Sequence, residues 1–221
     1  MQEYRLAALA GLLLSALLAT GAMFAPLAQA WDSERMLEAA GRHGSRTLAA
    51  ARQLQQLVER LAAQDDAQRL KAVNDFFNQR IAFRDDQTVW GQVDYWASPL
   101  ETLERGQGDC EDYAIAKYFS LLATGVPQAR LRLVYVRAML DGRPQAHMVL
   151  AYYAQPEAEP VILDNLQPEV KPASARTDLA PVFSFNAEGL WQGVGATSAG
   201  NPVARLSIWR DALAKIRAEG F

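Results

Sequence analysis

Residues 106–113 read Gly106-Gln107-Gly108-Asp109-Cys110-Glu111-Asp112-Tyr113 and contain the only cysteine of the chain. Two glycines that free the backbone precede this cysteine, and the apolar run 114–122 follows it. This order predicts a loop that delivers Cys110 to the first turn of a helix, with Asp109 as N-cap and Asp112 in the capping-box position. A thiol there lies at the positive end of the helix dipole, which favours the thiolate. A buried, unreactive cysteine is the alternative interpretation.

The composition limits the kinds of protein that this chain encodes. Its 221 residues suit one domain, and a hydrophobic content of 50% is enough for a sizeable core. The net charge of −3 does not suggest a surface for nucleic acid, so we expect no nucleic-acid partner.

The N-terminal segment has the pattern of an export signal. Arg5 gives it a positive charge, residues 6–18 form an apolar region, and Ala28-Gln29-Ala30 fits the cleavage rule for small residues. We therefore expect residues 1–30 to be a cleaved signal peptide and residues 31–221 to be one exported domain. A permanent membrane anchor is the alternative. Because a single cysteine cannot pair internally, it is either inert or kept for chemistry.

Hydrophobic periodicity predicts helices in the first half of the mature chain and strands in the second. One helix, or two with a break at 41–44, is expected over 33–63. Further helices are expected over 66–80, from Pro99 with Ser98 as cap, after Cys110, and over 207–217 with Ser207 as cap. Strands are expected at 131–137, 146–153, 160–165 and 182–186. A surface loop is predicted for 166–180 and a mobile loop for 189–202. An α+β fold follows, with N-terminal helices and the cysteine helix packed on an antiparallel sheet.

Two further residues complete a candidate catalytic set with Cys110. His147 lies near the start of one predicted strand, and Asp164 lies at the end of the next. Antiparallel neighbours place such positions at the same edge of a sheet, so we expect the two side chains to meet. A thiolate can then attack a carbonyl, an imidazole can exchange the proton, and a carboxylate can orient the imidazole. Taken singly, His147 also suits a hydrogen-bonded core position and Asp164 a turn.

Three segments together carry a resemblance to a known family. They are residues 106–113, Ala146-His147-Met148-Val149-Leu150 and Val161-Ile162-Leu163-Asp164-Asn165. In their order and spacing they resemble the bacterial transglutaminase-like cysteine proteases, in particular the periplasmic adhesin-cleaving members, over roughly residues 70–210. The resemblance implies a papain-like/transglutaminase-like fold, a Cys110–His147–Asp164 triad, and proteolysis rather than cross-linking.

The same resemblance implies a biological setting. Members of this kind cut the N-terminal region of a large surface adhesin at a di-alanine site, and they thereby control biofilm attachment. An inner-membrane receptor for cyclic di-GMP holds them in check in the periplasm. These properties are expectations that come from the resemblance alone.

The acids around Cys110 have two interpretations. Asp109, Glu111 and Asp112 are the acids that a helix dipole favours at an N-terminus. Clustered carboxylates also suit Ca²⁺, although the chain has no EF-hand loop. The resemblance implies a calcium site formed by Asp109 and Glu111, on either side of the cysteine, with backbone oxygens from residues 92–94 as additional ligands.

A cysteine protease also needs donors for the oxyanion. The backbone N–H of Cys110 is the natural first donor, because N–H groups in the first turn of a helix are free. The indole N–H of Trp96 is a candidate for the second donor. An aromatic ring packed under the cysteine loop is the alternative role for Trp96.

Two rival functions fit the same residues. One is another enzyme of this fold: a transglutaminase, an amidase or a peptidase directed at peptidoglycan. The other is a non-catalytic binding module, against which the intact Cys110, His147 and Asp164 argue. A redox role is disfavoured because a second cysteine is missing from the sequence.

Overall fold

The computed structural model describes residues 31–195 and 197–221. The predicted signal peptide, residues 1–30, lies outside the described residues. Within the described ranges, every helix is too short or too polar to cross a bilayer.

Eight α-helices are found in the described part of the chain, and the longer ones agree with the predicted ones. They are α1 (Ser33–Arg42), α2 (Ser45–Leu61), α3 (Asp66–Arg80), α4 (Asp86–Trp90), α5 (Pro99–Arg105), α6 (Cys110–Ala123), α7 (Pro202–Arg205) and α8 (Ser207–Ala218). The predicted break in the first helical segment is confirmed at Gly44, whose φ of 111° ends the helical path. The short helix α4 lies in a segment for which we expected irregular structure.

The helix caps confirm one prediction and correct three. Ser98 caps α5 in a full capping box with Glu101, as predicted. Asp109 occupies the N-cap position of α6, but among the described residues its side chain accepts no hydrogen bond from the backbone N–H groups of this helix. Asp112 likewise accepts a hydrogen bond from the Ala97 backbone N–H at 2.8 Å rather than closing a capping box. Ser207 is the first residue of α8 instead of its cap.

The strands form one large antiparallel sheet and a separate small pair. They are β1 (Ala82–Phe83), β2 (Gln107–Gly108), β3 (Leu131–Leu140), β4 (Arg143–Tyr152), β5 (Val161–Leu163), β6 (Lys171–Pro172), β7 (Leu179–Phe185), β8 (Leu190–Gln192) and β9 (Ser198–Gly200). The large sheet has the order β6-β5-β4-β3-β7-β8-β9, and β1 pairs with β2 in parallel. Two predictions are corrected, because residues 166–180 contain β6 and residues 189–202 contain β8 and β9.

Helix α6 forms the centre of the hydrophobic core. It packs against β3 and β4 of the sheet on one side and against α2, α3 and α5 on the other. Its residues 112–121 are all buried, so even its polar positions are enclosed. The ring of Trp209 in α8 closes the end of this core against Phe119. The expected α+β architecture, with the cysteine helix on an antiparallel sheet, is therefore confirmed.

Gly108 is required by a close approach rather than by a special backbone angle. A Cβ at this position would lie 2.5 Å from Oδ2 and 2.9 Å from Cβ of Asp112. Gly108→Ala should therefore displace the buried Asp112 carboxylate from the Ala97 N–H. We expect it to lower the free energy of unfolding by about 1–3 kcal/mol, measured by urea denaturation in excess chelator.

Gly41→Ala is the matched control for this substitution. Gly41 lies in α1, and its added Cβ would meet no described atom within 4 Å. It should raise the free energy of unfolding by about 0.5–1 kcal/mol, because alanine is the better helix former. Equal effects of the two substitutions would show that the Gly108–Asp112 contact does not constrain the fold.

Candidate active site

His147 and Asp164 meet as expected, but His147 lies in the middle of its strand rather than near the start, because β4 begins at Arg143. The two strands pair with Leu150 opposite Leu163, which brings the residue after β5 beside the middle of β4. His147 Nε2 lies 2.8 Å from Asp164 Oδ1, and both side chains are almost completely buried. This hydrogen bond leaves Nδ1 as the ring nitrogen that can exchange a proton with another group.

The Asp164 carboxylate is held in its charged form by several donors. Its Oδ1 also accepts from the Leu166 backbone N–H at 3.0 Å, and its Oδ2 accepts from Arg176 Nη2 at 2.7 Å. Burial raises the pKa of Asp164, but His147, the Leu166 N–H and Arg176 outweigh it and lower the pKa to about 2. A fully ionised carboxylate thus faces the imidazole at neutral pH.

Cys110 is the first residue of α6 and lies beside His147's strand. Its thiol donates to Glu111 Oε2 at 2.9 Å, and the backbone N–H of Met148, the neighbour of His147, interacts with the sulfur. Burial raises the pKa of the Cys110 thiol well above its ordinary range, and the charges of Glu111 and Asp109 raise it further. The hydrogen bond from the Met148 backbone N–H lowers the pKa of the thiol. Burial and these two acids therefore keep the thiol protonated as long as no positive charge neutralises Glu111 and Asp109.

Five acids surround the N-terminal end of α6. Their oxygens form three sets in which all ligand atoms lie within 4.8 Å of one another, one set including the Cys110 sulfur. The sets are Asp109 with Cys110 and Glu111, Asp86 with Asp109 and Asp112, and Asp86 with Asp94 and Glu111. The predicted metal ligands Asp109 and Glu111 are thus brought together, and the side chain of Asp94 lies near Glu111 in another of these sets. The backbone ligands expected from residues 92–94 stay a prediction.

The polar atoms of this cluster are incompletely satisfied. Asp86 Oδ1, Asp109 Oδ1 and Asp112 Oδ2 are buried and lack a hydrogen-bond partner within the described part of the chain. Burial first, and the neighbouring acids second, raise the pKa of Asp86 to about 6, of Asp112 to about 8 and of Asp109 to about 10. Hard carboxylate oxygens with free lone pairs are suitable ligands for a hard divalent cation. The residues present therefore fit a metal site.

Asp86 was missed by the sequence analysis. It follows Asp85, which caps α4 through a hydrogen bond from the Thr88 N–H. As the first residue of this short helix, Asp86 turns inward and accepts from the Tyr95 N–H. Its neighbour Asp85 is exposed and has the same chemistry, so the sequence alone does not separate the ligand candidate from the cap.

Trp96 does not fill the expected role of second oxyanion donor. Its indole Nε1 donates to Asp94 Oδ1 at 3.1 Å, and its ring stacks on Phe185 with the centroids 5.7 Å apart. The alternative of an aromatic residue packed near the cysteine loop is therefore the better description. The indole connects the hydrophobic core to the acid cluster, because it holds the Asp94 carboxylate.

Comparison with known proteins identifies the family. The family model of the bacterial transglutaminase-like cysteine proteinases matches residues 46–189. The chain belongs to this family. As a member of the bacterial transglutaminase-like cysteine proteinases, it carries its only cysteine within the matched segment. A comparison with curated proteins gave no match.

Solved structures of a Legionella pneumophila protein, LapG, are similar to this proteinase. One LapG structure is 38% identical, covers 85% of this chain and 98% of its own, and has a TM-score of 0.73. An EGTA-treated LapG structure has the same identity and coverage and a TM-score of 0.76. A calcium-bound LapG structure is 39% identical over 84% of this chain and 99% of its own, with a TM-score of 0.72.

The buried acids predict that stability falls as the pH rises in the absence of metal. In the folded protein Asp112 and Asp109 stay protonated well above the pH at which they ionise in the unfolded chain. The folded state therefore binds more protons between pH 5 and pH 7, and each such carboxyl lowers the free energy of unfolding by up to about 1.4 kcal/mol per pH unit. The lowered pKa of Asp164 changes the free energy of unfolding only at pH values below this window.

Urea denaturation in excess chelator at pH 5, 6 and 7 measures this slope. Asp112→Asn should make the slope shallower, because it removes one of the protonated carboxyls. Glu38→Gln is the control, since Glu38 is an exposed residue of α1, and it should leave the slope unchanged. A stability that is constant or increases from pH 5 to pH 7 would contradict the assignment.

Proposed function

We propose that the chain is a calcium-dependent cysteine endopeptidase in which Cys110 is the nucleophile, His147 the general base and Asp164 the residue that orients it. The observation that carries this proposal is the buried 2.8 Å hydrogen bond between His147 and Asp164. The sulfur of Cys110 interacts with the backbone N–H of Met148, the residue next to His147. The membership of the cysteine proteinase family supports the same reaction class.

The hydrogen-bond pattern assigns a role to each atom. Because Asp164 binds the Nε2 side of the ring, Nδ1 takes the thiol proton as the Cys110 sulfur attacks the scissile carbonyl. The backbone N–H of Cys110 has no partner inside the helix, because it is the first residue of α6, and it stabilises the oxyanion. His147 then returns the proton to the leaving amine. Water activated by the same nitrogen hydrolyses the thioester and frees the enzyme.

Calcium is the cation that we propose for the acid cluster. Asp109 and Glu111 hold it from α6, and Asp94 and Asp86 lie within reach from the preceding segment. A bound cation neutralises the negative charge beside the thiol. As a ligand, Glu111 would bind the cation through the carboxylate that accepts the hydrogen bond of the Cys110 thiol in the present geometry. The calcium-bound structure of the similar LapG protein supports this choice of metal.

The proposed substrate is the N-terminal region of a large surface adhesin, cut at a di-alanine site. The proposed place is the periplasm, reached after removal of residues 1–30. We further propose that an inner-membrane receptor for cyclic di-GMP sequesters the enzyme and so regulates biofilm attachment. The sequence segments that carry the family resemblance support this substrate, location and regulation, together with the similarity to LapG over 85% of the chain.

Substitution of the triad tests the reaction. Cys110→Ala should abolish cleavage of an N-terminal adhesin fragment without changing the fold, because it removes the nucleophile. Asp164→Asn should lower kcat by orders of magnitude, as the equivalent change does in a serine-protease triad, where the loss is about 10⁴-fold. Gel-based cleavage kinetics and near-UV circular dichroism measure both properties. Undiminished cleavage by Cys110→Ala would refute the proposal.

A calcium titration after thorough chelation tests the metal. Activity should be lost in excess chelator and return with added Ca²⁺, because the uncompensated acids keep the thiol protonated. Asp109→Asn should raise the Ca²⁺ concentration that activity requires, because it removes a proposed ligand and leaves the Glu111 carboxylate beside the thiol. The control Glu38→Gln, which changes an exposed acid of α1, should respond like the unmodified chain. If cleavage proceeds at the full rate in excess chelator, the acids are helix-terminal charges only.

A further inference from the structure

Arg176 is a buried cation behind the His147–Asp164 pair. It lies in the segment for which the sequence predicts a surface loop, between β6 and β7. Its side chain is only 2% exposed, although arginine is rarely enclosed unless it is paired. The burial of this residue therefore needs a reason, and its contacts supply one.

The guanidinium of Arg176 is clamped between two carboxylates. Nη2 donates to Asp164 Oδ2 at 2.7 Å and to Asp178 Oδ2 at 2.7 Å, and Nε donates to Asp178 Oδ1 at 2.9 Å. Asp178 is itself tied to the sheet, because the Met139 backbone N–H donates to its carbonyl oxygen at 2.8 Å. The contacts with Asp178 thus hold the planar guanidinium in the orientation in which Nη2 also donates to Asp164.

We infer that Arg176 is a positioning residue of the active site, which holds Asp164 by Oδ2 so that Oδ1 stays directed at His147. This inference rests on the proposed catalytic roles of Cys110, His147 and Asp164. The two oxygens of Asp164 have separate tasks, since His147 and Arg176 bind different ones. A carboxylate that is held at one oxygen cannot rotate away from the imidazole that it serves.

The other buried cation near Asp164 does not perform this function. Lys117 of α6 is 1% exposed, and burial lowers its pKa to about 7. Its Nζ lacks a hydrogen-bond acceptor among the residues that the structure describes. Lys117 therefore acts on Asp164 only through space, whereas Arg176 contacts the carboxylate directly.

The chemical consequence concerns the proton on the imidazole. While Asp164 accepts from Nε2, the neutral ring carries its proton there, and Nδ1 is free to take the thiol proton. If the carboxylate rotates, the ring can carry its proton on Nδ1 instead, and this tautomer cannot act as the base. Loss of Arg176 should therefore slow the chemical step and leave substrate binding nearly unchanged.

Cleavage kinetics of the calcium-loaded mature protein test this split. For Arg176→Gln we expect kcat to fall by about tenfold or more, with KM within about twofold of the unmodified value. Arg176→Lys keeps the charge but cannot hold both carboxylates, so it should lower kcat by about threefold to tenfold. The matched control is Arg130→Gln, which breaks the partly exposed Arg130–Asp66 ion pair and should leave kcat unchanged.

Histidine NMR gives a readout that does not depend on cleavage. The sequence contains two histidines, so His43→Gln assigns the ¹⁵N signals of His147. The unmodified ring should be the Nε2–H tautomer, and the Arg176 variants should show a shift toward the Nδ1–H form.

Unchanged kcat and an unchanged tautomer in Arg176→Gln would overturn the inference. If that variant fails to fold, unmodified values of both quantities in Arg176→Lys would overturn it. Cleavage by Cys110→Ala would instead refute the proposed function itself.

Discussion

The accumulation of negative charge at the buried N-terminal end of α6 is the constraint on which the site depends. Asp109, Glu111 and Asp112 come from the helix, and Asp86 and Asp94 come from the segment before it. Burial raises the pKa of the adjacent thiol, and Glu111 and Asp109 raise it further. Burial and the repulsion between neighbouring acids likewise raise the pKa values of Asp86, Asp109 and Asp112. The helix dipole favours acids at this end but does not supply a full positive charge. A bound divalent cation would remove this repulsion and would link the preceding segment to Cys110.

The fold brings the buried imidazole of His147 to this acidic end of α6. Because α6 is buried between helices and sheet, Cys110 is fixed relative to β4, which carries His147. The neighbouring strand β5 ends at Asp164, and the segment after it returns to place Arg176 against the far oxygen of that carboxylate. The Arg176–Asp164 ion pair and the Asp164–His147 hydrogen bond thus follow one another toward the imidazole. Each link is enclosed, so water does not compete for it.

Much of this arrangement could be predicted from local pattern. Helix α3 runs over Asp66–Arg80 as expected, because apolar residues recur at helical spacing along it and a capping box marks its start. The side-chain directions of acids could not be predicted in this way. Asp112 turns to the Ala97 N–H, and Asp86 turns inward while its neighbour caps α4, since tertiary contacts decide between equivalent carboxylates. Arg176 was assigned to a surface loop because polar composition does not reveal a buried partner such as Asp164.

The reactivity of the single cysteine tests the central claim most directly. The rate of alkylation by iodoacetamide at pH 7 reports the thiolate fraction of Cys110 without any substrate. The account predicts fast alkylation in Ca²⁺, a rate at least about tenfold lower in excess chelator, and a low rate in both conditions for His147→Ala. A slow rate that is the same with calcium, with chelator and after loss of His147 would contradict it, because Cys110 would then be an ordinary buried thiol.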